Sequence, residues 1–486
     1  MKILLINPPR FNKIETTIPT FINQKRGELP PLGLLYLASS IQSKTDHDVK
    51  ILDTSLLDLS YEDIKAEIIN YQPDVVGVSI ITFLLIDSLK VAEVAKSCEK
   101  ILNKNITVIA GGPHVFIYPE ETANHKNFDF TLAGEAEFSL IDLLNCKDNN
   151  DKLSEIPGIY FVYDNKLIKG PQFKYIDDLD SVPIPDRRLL DFKKYTSILS
   201  SEGFVTTMMT SRGCPYQCIF CERLGKRFRA HSPEYVTKEI ENCLDLGIKE
   251  IFFHDDTFAV NKERVLEICH LIQDRKLKFI FDLRSHINTI DEELLVALKG
   301  AGCQRISFGI ESGVQAIIRR IKKGISLEKA AQTVNLTKKY KITTLTDFMI
   351  GHPGETIDEI HQSVKFAKKL DADFSQFTIT TLYPGTQLYY QAMEREVITS
   401  DVWQKFAVKP SIDFVPPRWD LVIDRETMVN LLHYCYRSFY LRPRYIGKQF
   451  LKIKSLKEFN AKTKAGLSLM YHQLAIKLGL KNNGIQ

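Results

Sequence analysis

The sequence predicts an α/β protein made of two parallel-sheet units in series, followed by a small, mainly helical C-terminal region. Short β-branched runs alternate with helical patterns up to about residue 135, and a second such series runs from about 205 to 381. Strands that alternate with helices form parallel sheets, because each helix returns the chain to the same edge. Beyond about 395 the pattern becomes aromatic, basic and mainly helical.

The first unit, residues 1–175, is predicted to be Rossmann-like. Its predicted strands are the runs KILLI, VKILD, DVVGVSI, ITVIAGG and FDFTLAG, and a small hairpin is predicted at 156–175. Gly111, Gly112 and His114 follow the fourth strand, at the edge where open parallel sheets bind ligands. A ligand is therefore expected there. Residues 176–200, punctuated by Pro and Asp, are predicted to be a linker.

The second unit, residues 201–395, is predicted to be a partial (β/α)6 barrel of the TIM type, with 396–486 forming the helical region. Its six strands are predicted near 205–210, 249–254, 278–284, 304–309, 345–350 and 375–381. Parallel barrels carry their chemistry at the carboxyl ends of the strands. The chemically reactive residues of this stretch cluster at those predicted ends.

Composition excludes several classes of protein. With 44% hydrophobic and 26% charged residues the chain has an ordinary globular balance. A net charge of +4 over 486 residues gives a weak field, so nucleic acid is not an expected partner. No apolar run approaches the roughly 18 residues of a transmembrane helix, and the start MKILLINPP is too short for a signal peptide. We therefore expect a cytoplasmic protein without a transmembrane segment.

The nine cysteines divide into a cluster of three and six that are scattered. A chain without a secretion signal is expected to keep its thiols reduced. The scattered six are predicted to be buried small hydrophobic residues; they are Cys98, Cys146, Cys243, Cys269, Cys303 and Cys435.

The segment SRGCPYQCIFCER places Cys214, Cys218 and Cys221 in a C-x3-C-x2-C loop after the first barrel strand. Thiolates suit both iron–sulfur clusters and zinc, so ligand chemistry alone leaves both open. Structural zinc sites and ferredoxin clusters each want four protein ligands, and the neighbouring sequence offers no fourth. Three ligands on a four-iron cube leave one iron open to a small molecule, so we favour a [4Fe-4S] cluster over zinc.

With the aromatic Phe220 before its last cysteine, this triad resembles the hallmark of the radical SAM superfamily. The resemblance implies that the open iron binds S-adenosyl-L-methionine, with Phe220 near it. It also implies that a one-electron donor such as flavodoxin or ferredoxin reduces the cluster. HDDTF at 254–258 resembles the family segment beside the methionyl part of the cofactor, which would make Asp255 and Asp256 contacts. Both could instead be turn formers that end a strand.

FGIESG at 308–313 resembles the family's fourth-strand motif, which implies that Glu311 reaches the ribose region. Its alternative role is a carboxylate at a helix start. Arg284, at the third strand end, could pair with the cofactor carboxylate through a bidentate fork, or could form a surface ion pair. FMIGHPGET at 348–356 and YPGTQLY at 383–389 also resemble family segments, and their glycines are expected to shape turns near the ligand.

In the first unit, NPP at 7–9 stands where a dinucleotide fold would carry G-x-G-x-x-G. Four segments together, in this order, resemble the cobalamin-binding domain of the cobalamin-dependent (class B) radical SAM enzymes. They are LPPLGLLYLAS at 29–39, VGVSIITF at 76–83, GGPH at 111–114 and GEAE at 134–137. The resemblance therefore implies cobalamin as a further cofactor.

Small and polar residues in these segments are the candidate contacts to cobalamin. Gly111 and Gly112 would let the backbone approach a flat macrocycle, or would only form a tight turn. Ser79 and Thr82 could donate hydrogen bonds to the corrin or cap a helix.

Acidic and histidine residues of the same unit are less clearly assigned. Glu135 and Glu137 could touch the ligand or form a carboxylate pair at a helix start. The D-x-H-x-x-G motif of a cobalt-ligating histidine is absent, and neither His114 nor His47 has its partners. We expect the lower face of the cobalt to lack a protein histidine.

Both cofactors together imply methylation of an unactivated carbon in an apolar or natural-product-like small molecule. The alternative is a cobalamin-dependent radical cyclase or rearrangement enzyme, and a non-catalytic cluster and corrinoid sensor is a weaker third. HYCYRSFYLRPRYI at 433–446 resembles a segment of enzymes in this class that act on lipids and tetrapyrroles, so a lipid-like substrate is one candidate. Otherwise this helix only packs its aromatics on the barrel.

Overall fold

The computed structural model describes residues 1–15, 27–147, 149–197, 200, 203–222, 227–419 and 422–451. Part of the predicted helical region, including the terminal KNNGIQ, lies outside these residues.

The first unit contains a seven-stranded sheet in the order β2-β1-β3-β4-β5-β6-β7. Its strands are β1 (Lys2–Asn7), β2 (Asp48–Asp53), β3 (Val75–Ser79), β4 (Thr107–Gly111), β5 (Phe130–Leu132), β6 (Ile159–Tyr163) and β7 (Lys166–Lys169). The first five are parallel, and the predicted hairpin adds β6 and β7 as an antiparallel edge. The predicted Rossmann-like sheet is thus confirmed.

The helices of this unit cover both faces of the sheet, so the central strands are apolar throughout. They are α1 (Leu32–Lys44), α2 (Tyr61–Tyr71), α3 (Leu85–Leu102), α4 (Pro113–Ile117), α5 (Pro119–Ala123), α6 (Ser139–Cys146) and α7 (Asn150–Leu153). Local sequence sets some of their starts: Ser60 and Asp63 form a reciprocal capping box ahead of α2.

The second unit is an open barrel of six parallel strands in the order β15-β14-β13-β12-β11-β8. Its strands are β8 (Thr206–Met208), β11 (Glu250–Phe253), β12 (Ile280–Ser285), β13 (Cys303–Glu311), β14 (Thr343–Ile350) and β15 (Phe374–Ile379); a short antiparallel pair, β9 (Ser211–Arg212) and β10 (Arg229–Ala230), follows β8. Each predicted strand is present, which confirms the partial barrel.

Helices between these strands form the outer layer of the barrel, as the alternating pattern predicts. They are α8 (Pro233–Asp245), α9 (Lys262–Asp274), α10 (Glu292–Gly300), α11 (Gln315–Arg320), α12 (Leu327–Lys339) and α13 (Ile357–Leu370).

The C-terminal region is helical, as predicted. It contains α15 (Val402–Val408), α16 (Arg425–Tyr440) and α17 (Pro443–Leu451), and α14 (Gln387–Glu394) precedes it at the end of the barrel unit. The hydroxyl of Tyr436 donates to the carbonyl of Phe377 in β15 at 2.8 Å, and Tyr440 makes the same contact to Ser375 at 2.8 Å. The aromatics of 433–446 therefore pack on the barrel, which supports the packing interpretation of that segment over the substrate one.

The two units share buried contacts. One hydrophobic cluster joins α3 of the first unit to Ile219 in the cysteine loop and to Trp403 in α15. The linker is also anchored to the first unit, because the Tyr195 hydroxyl donates to Asp53 at 2.7 Å. The cluster sets the first sheet against the cysteine loop. Among the described residues, no helix has the length and apolar character needed to span a membrane.

All nine cysteines are free thiols. Five of the scattered six are buried as predicted, but Cys146 is half-buried, because it lies at the exposed end of α6.

Candidate functional site

A cavity of about 390 Å³ lies between the first sheet and the residues that follow barrel strands β8 and β11. Its walls are mainly apolar. Residues of the first sheet that line it include Leu5, Gly77, Ser79, Gly111 and Gly112, and residues from the barrel side include Met209, Ser211, Arg212, Gly213, Arg229 and Asp256. A ligand held by the first sheet would therefore touch the residues that lead into the cysteine loop.

Gly111 and Gly112 have different reasons to be glycine. A Cβ on Gly111 would project into open space, with its nearest neighbour, the Leu132 carbonyl, 3.9 Å away. Gly112 has φ +103° and its Cβ would lie 2.9 Å from the backbone of Ile80, so the turn itself requires glycine. Gly111 thus leaves room in the cavity, while Gly112 only shapes the turn.

Ser79 lines the cavity, but Thr82 and His114 do not. His114 is buried, its Nδ1 lies 3.1 Å from the Thr82 hydroxyl, and its ring packs against Tyr118. Burial lowers the pKa of His114 to about 3, so the ring is neutral. Thr82 and His114 therefore lie outside the cavity that the other predicted ligand contacts of the first unit line. His47 lies beside the Met1 amino group, at the opposite end of the sheet.

Glu135 and Glu137 line the cavity and form ion pairs with two arginines from the barrel unit. Arg229 donates to both oxygens of Glu135 at 2.7 and 2.8 Å, and Arg212 donates to Glu137 at 2.5 Å. Burial raises the pKa of Glu135, but the two guanidinium groups outweigh it and leave the pKa below its ordinary value. Neither glutamate caps α6, which begins after Phe138 without a side-chain cap. The two arginines were missed by sequence reasoning, although Arg212 lies two residues before the triad.

The three cysteines lie on the loop that follows β9, at the carboxyl end of the barrel. Cys218 is buried, Cys214 is half-buried with its Sγ 3.5 Å from the Thr257 hydroxyl, and Cys221 is exposed. The Cys221 amide donates to the Cys218 carbonyl at 3.3 Å, which closes the loop on itself.

The electrostatics of this loop favour thiolate at Cys218. A hydrogen bond from Cys221, helped by the ammonium of Lys323, lowers the pKa of Cys218 to about 7, while the same hydrogen bond raises the pKa of Cys221. A thiol with a lowered pKa gives up its proton to a metal more readily. The donor set of three free cysteines therefore fits an iron–sulfur cluster.

Asp255 and Asp256 are neighbours with opposite surroundings. Asp255 is buried and accepts hydrogen bonds from the Thr210 amide and from the hydroxyls of Thr210 and Ser211 at 2.6 to 2.7 Å. Asp256 lines the cavity, and partial desolvation raises its pKa. Asp255 thus holds the strand end together, and Asp256 is the carboxylate that faces the cavity.

Arg284 is exposed at the end of β12, and no carboxylate of the described residues lies within ion-pair distance of its guanidinium. The geometry leaves its fork available to an anionic ligand. Next to it, His254 has its pKa lowered to about 4 by burial and by the Arg284 charge.

Glu311 ends β13 with φ +71° and forms a 2.8 Å ion pair with Lys323. Both side chains occupy the space that a Cβ on Gly309 would need. Burial alone would lower the pKa of Lys323, but Glu311 and the Cys218 thiol raise it above its ordinary value. The ammonium also lies 5.9 Å from the ring centre of Phe220. Lys323, which sequence reasoning did not select, joins Glu311 to the cysteine loop.

The segment 348–356 adds two further buried residues that sequence reasoning did not select. Glu355 accepts hydrogen bonds from the amides of Gly351 and His352 at 2.7 and 3.1 Å, and burial raises its pKa to about 7. The ring of His352 lies 6.5 Å from that of Phe220. Gly351 has φ +81° and Gly354 φ +66°, so these glycines shape the turn, as predicted.

Two family models match the chain. The B12 binding domain matches residues 20–144, and the radical SAM superfamily matches residues 208–367. The first match contains Ser79, Gly111 and Glu135, and the second contains the cysteine loop and Glu311. The matched ranges therefore coincide with the two sides of the cavity.

Relatives match almost the whole chain. An uncharacterized methyltransferase of Pyrococcus horikoshii is 37% identical over 458 residues, which cover 93% of this chain and 95% of the relative. The anaerobic magnesium-protoporphyrin IX monomethyl ester cyclase of Rubrivivax gelatinosus is 25% identical over 446 residues, which cover 89% of this chain and 78% of the relative.

Among solved structures, the cobalamin-dependent S-adenosylmethionine radical enzyme OxsB, with aqua-cobalamin and S-adenosylmethionine bound, superposes with a TM-score of 0.73. The match covers 97% of this chain and 71% of that chain at 18% identity, so it shows a shared fold.

Proposed function

This chain belongs to the radical SAM enzymes that carry a B12-binding domain, and from that premise we propose that it methylates an unactivated carbon of a small molecule. The expected family, enzyme class and cofactors, which are a [4Fe-4S] cluster, S-adenosylmethionine and cobalamin, are confirmed. The main observation in support of this reaction is that Gly111 of the first sheet and Gly213, beside Cys214, line the same cavity. A methyl carrier and a radical source would thereby face the same space.

In this proposal Cys214, Cys218 and Cys221 hold the cluster, and Asp256, Arg284 and Glu311 orient S-adenosylmethionine. When bound, these groups and cobalamin supply a hydrogen-abstracting radical and a transferable methyl group. The chain's own residues position and shield them. Arg284 offers two parallel donors for a carboxylate, and the packing of the first unit over the cysteine loop keeps water away from the reacting carbon.

The proposed cobalamin site uses the apolar wall of the first sheet together with Ser79 and Gly111. A Cβ added to Gly33, on the first turn of α1, meets no atom within 4 Å. Two glycines open to one cavity suit a broad, flat ligand, because side chains there would collide with it. The Glu135 and Glu137 ion pairs to Arg229 and Arg212 would keep the two walls at a set distance.

Gly111→Leu should weaken cobalamin binding about 5-fold to 150-fold, because overpacking a fitted site costs about 1 to 3 kcal/mol. Gly111→Ala should weaken it less, since one methyl group enters open space. Cobalamin titration followed by absorbance measures both. The matched control is Gly447→Leu on α17, where an added Cβ meets no atom within 4 Å. Equal affinity for Gly111→Leu and the wild type would remove Gly111 from the site.

A cyclase is the second candidate, because the Rubrivivax relative carries that name. The two reactions differ in their products. With methyl-labelled S-adenosylmethionine, a methylase product gains the label, whereas a cyclase product loses hydrogen and carries none.

The proposal also includes an electron donor and a substrate class. One-electron reduction requires a carrier such as flavodoxin or ferredoxin. We keep an apolar small molecule as the substrate class, with a lipid-like compound as one candidate, although the packing of 433–446 on the barrel lends that candidate no support.

Nine free thiols suit the reducing cytoplasm, where we place the protein. We also propose the domain division 1–175, 201–395 and 396–486.

The decisive experiment is anaerobic reconstitution with iron, sulfide and cobalamin, followed by reduction with dithionite and S-adenosylmethionine. We expect a brown protein that releases 5′-deoxyadenosine, and a labelled methyl group in the product when the correct substrate is included. Protein that assembles no cubane cluster, or that releases no 5′-deoxyadenosine, would end the proposal.

A further inference from the structure

The cysteine loop separates the inner cavity from the outer surface. Arg212 and Gly213, at its start, line the cavity between the two units. Gln217, between the first two cysteines, lines a depression on the outside of the barrel. The residues of that depression are Gln217, Ile318, Arg319, Lys322, Gly324 and Ile325. A molecule bound there would lie outside the loop, with the cysteines between it and the cavity.

The rim of this depression is basic. In the run RRIKK at 319–323, Arg319 and Lys322 are exposed and line the depression. Arg320 is also exposed, but its guanidinium donates to the Pro353 carbonyl outside the depression. Lys323 points inward and is already paired with Glu311. The chain's overall charge is only +4, so this patch is a local feature rather than part of a general basic surface.

The basic run is attached directly to the cysteine loop. The Ile219 amide, next to Cys218, donates to the Ile321 carbonyl at 3.1 Å, and the Ile219 carbonyl accepts from the Leu388 amide at 2.8 Å. Ile219 and Ile321 are buried in the same apolar cluster. The distance between the basic surface and Cys218 is therefore held by backbone hydrogen bonds and packing.

We propose that this depression, which we term the basic depression, docks an acidic one-electron carrier protein of the flavodoxin or ferredoxin type. The inference rests on the proposed function, because only a redox cluster on the three cysteines gives such a partner a role. The carrier is oxidised by one electron and the cluster is reduced by one. That electron is then consumed when the sulfonium of S-adenosylmethionine is split into methionine and the 5′-deoxyadenosyl radical.

Charge complementarity favours an acidic protein at this surface. Exposed cations at the edge of an interface act mainly on the association rate, and they do so more strongly at low salt. Arg319 and Lys322, both exposed and both lining the depression, meet that description. The apolar floor formed by Ile318 and Ile325 would exclude water from the contact.

The test uses reconstituted full-length enzyme and a recombinant flavodoxin as the probe. The double variant Arg319→Glu, Lys322→Glu should weaken flavodoxin binding and slow flavodoxin-driven 5′-deoxyadenosine formation about tenfold or more at low salt, the scale of electrostatic steering. Its dithionite-driven rate should equal that of the wild type, because neither residue contacts the cavity. The milder pair Arg319→Gln, Lys322→Gln should fall between, and raising the salt should shrink every difference.

The matched control is Lys365→Glu, Lys369→Glu. These two exposed lysines lie on α13, near the end that leads into β15, and thus at the opposite end of the barrel. The control makes the same change in net charge, so it should leave flavodoxin binding within about twofold of the wild type, since distant exposed charges are screened.

Equal binding by both charge-reversal pairs, or unchanged binding by the Arg319 and Lys322 variants, would overturn the docking proposal. A wild-type enzyme that releases no 5′-deoxyadenosine with dithionite would instead refute the proposed function. Flavodoxin binding, measured by calorimetry without turnover, still decides the docking question in that case.

Discussion

Cys218→Ala should reduce 5′-deoxyadenosine formation to background when the reconstituted enzyme is reduced with dithionite. Cys218 is buried at the centre of the loop, and two remaining thiols do not hold a cluster that exposes one open iron. Cobalamin binding should stay near the wild-type value, because Cys218 is not among the cavity-lining residues. Iron content, the spectrum of the reduced protein and mass spectrometry of the products measure the loss.

Cys269→Ala is the matched control. Cys269 lies buried in α9, and burial raises its pKa to about 12, so it behaves as an inert hydrophobic side chain. Its replacement should cost about 1 kcal/mol of stability through a small cavity, and should leave cluster and activity intact. A Cys218→Ala enzyme that cleaves S-adenosylmethionine at the native rate would show that the ligand assignment is wrong.

Breaking the Glu311–Lys323 ion pair should have the second largest effect, which is a loss of thermal stability. The side chains are 8% and 11% exposed, so each single replacement leaves a nearly buried charge without its partner. Loss of one member of a buried pair costs about 3 to 5 kcal/mol, and a domain of this size loses about 2 to 4 °C in Tm per kcal/mol. Glu311→Gln and Lys323→Met should each lower the Tm of the barrel by about 6 °C or more.

The double variant Glu311→Gln, Lys323→Met separates structure from ligand contact. It should regain much of the lost Tm, because no unpaired charge remains. Affinity for S-adenosylmethionine, measured by equilibrium binding, should stay low in both variants that lack Glu311, since the proposed ribose contact is absent. Recovery of that affinity in the double variant would assign Glu311 a purely structural role.

Much of the architecture was predictable because its signals are local. Each barrel strand is a short β-branched run bounded by a helix, and all six occur within a few residues of the predicted places. The cysteine loop was predictable for the same reason, since three ligands within eight residues must lie close together whatever the rest of the chain does. The burial of Cys146 was overestimated, because a helix end exposes residues that the same pattern buries in its middle.

The partners of the site residues could not be predicted. Glu135 and Arg229 are 94 residues apart in sequence, and Glu137 and Arg212 are 75 apart, so each pair exists only once the two units have packed. Lys323 lies beyond β13, and nothing in its sequence neighbourhood indicates that it turns inward to Glu311.

The sequence by itself determined that two parallel-sheet units follow one another along the chain, and it determined the cysteine triad. Periodicity and close spacing are properties of short segments. Tertiary structure alone decided that Asp256 rather than Asp255 faces the cavity. It also decided that Gly111, rather than Gly112, is the glycine whose missing side chain leaves space there. Neighbouring residues point in different directions at a strand end, and only the packing of the second unit determines which direction is the site.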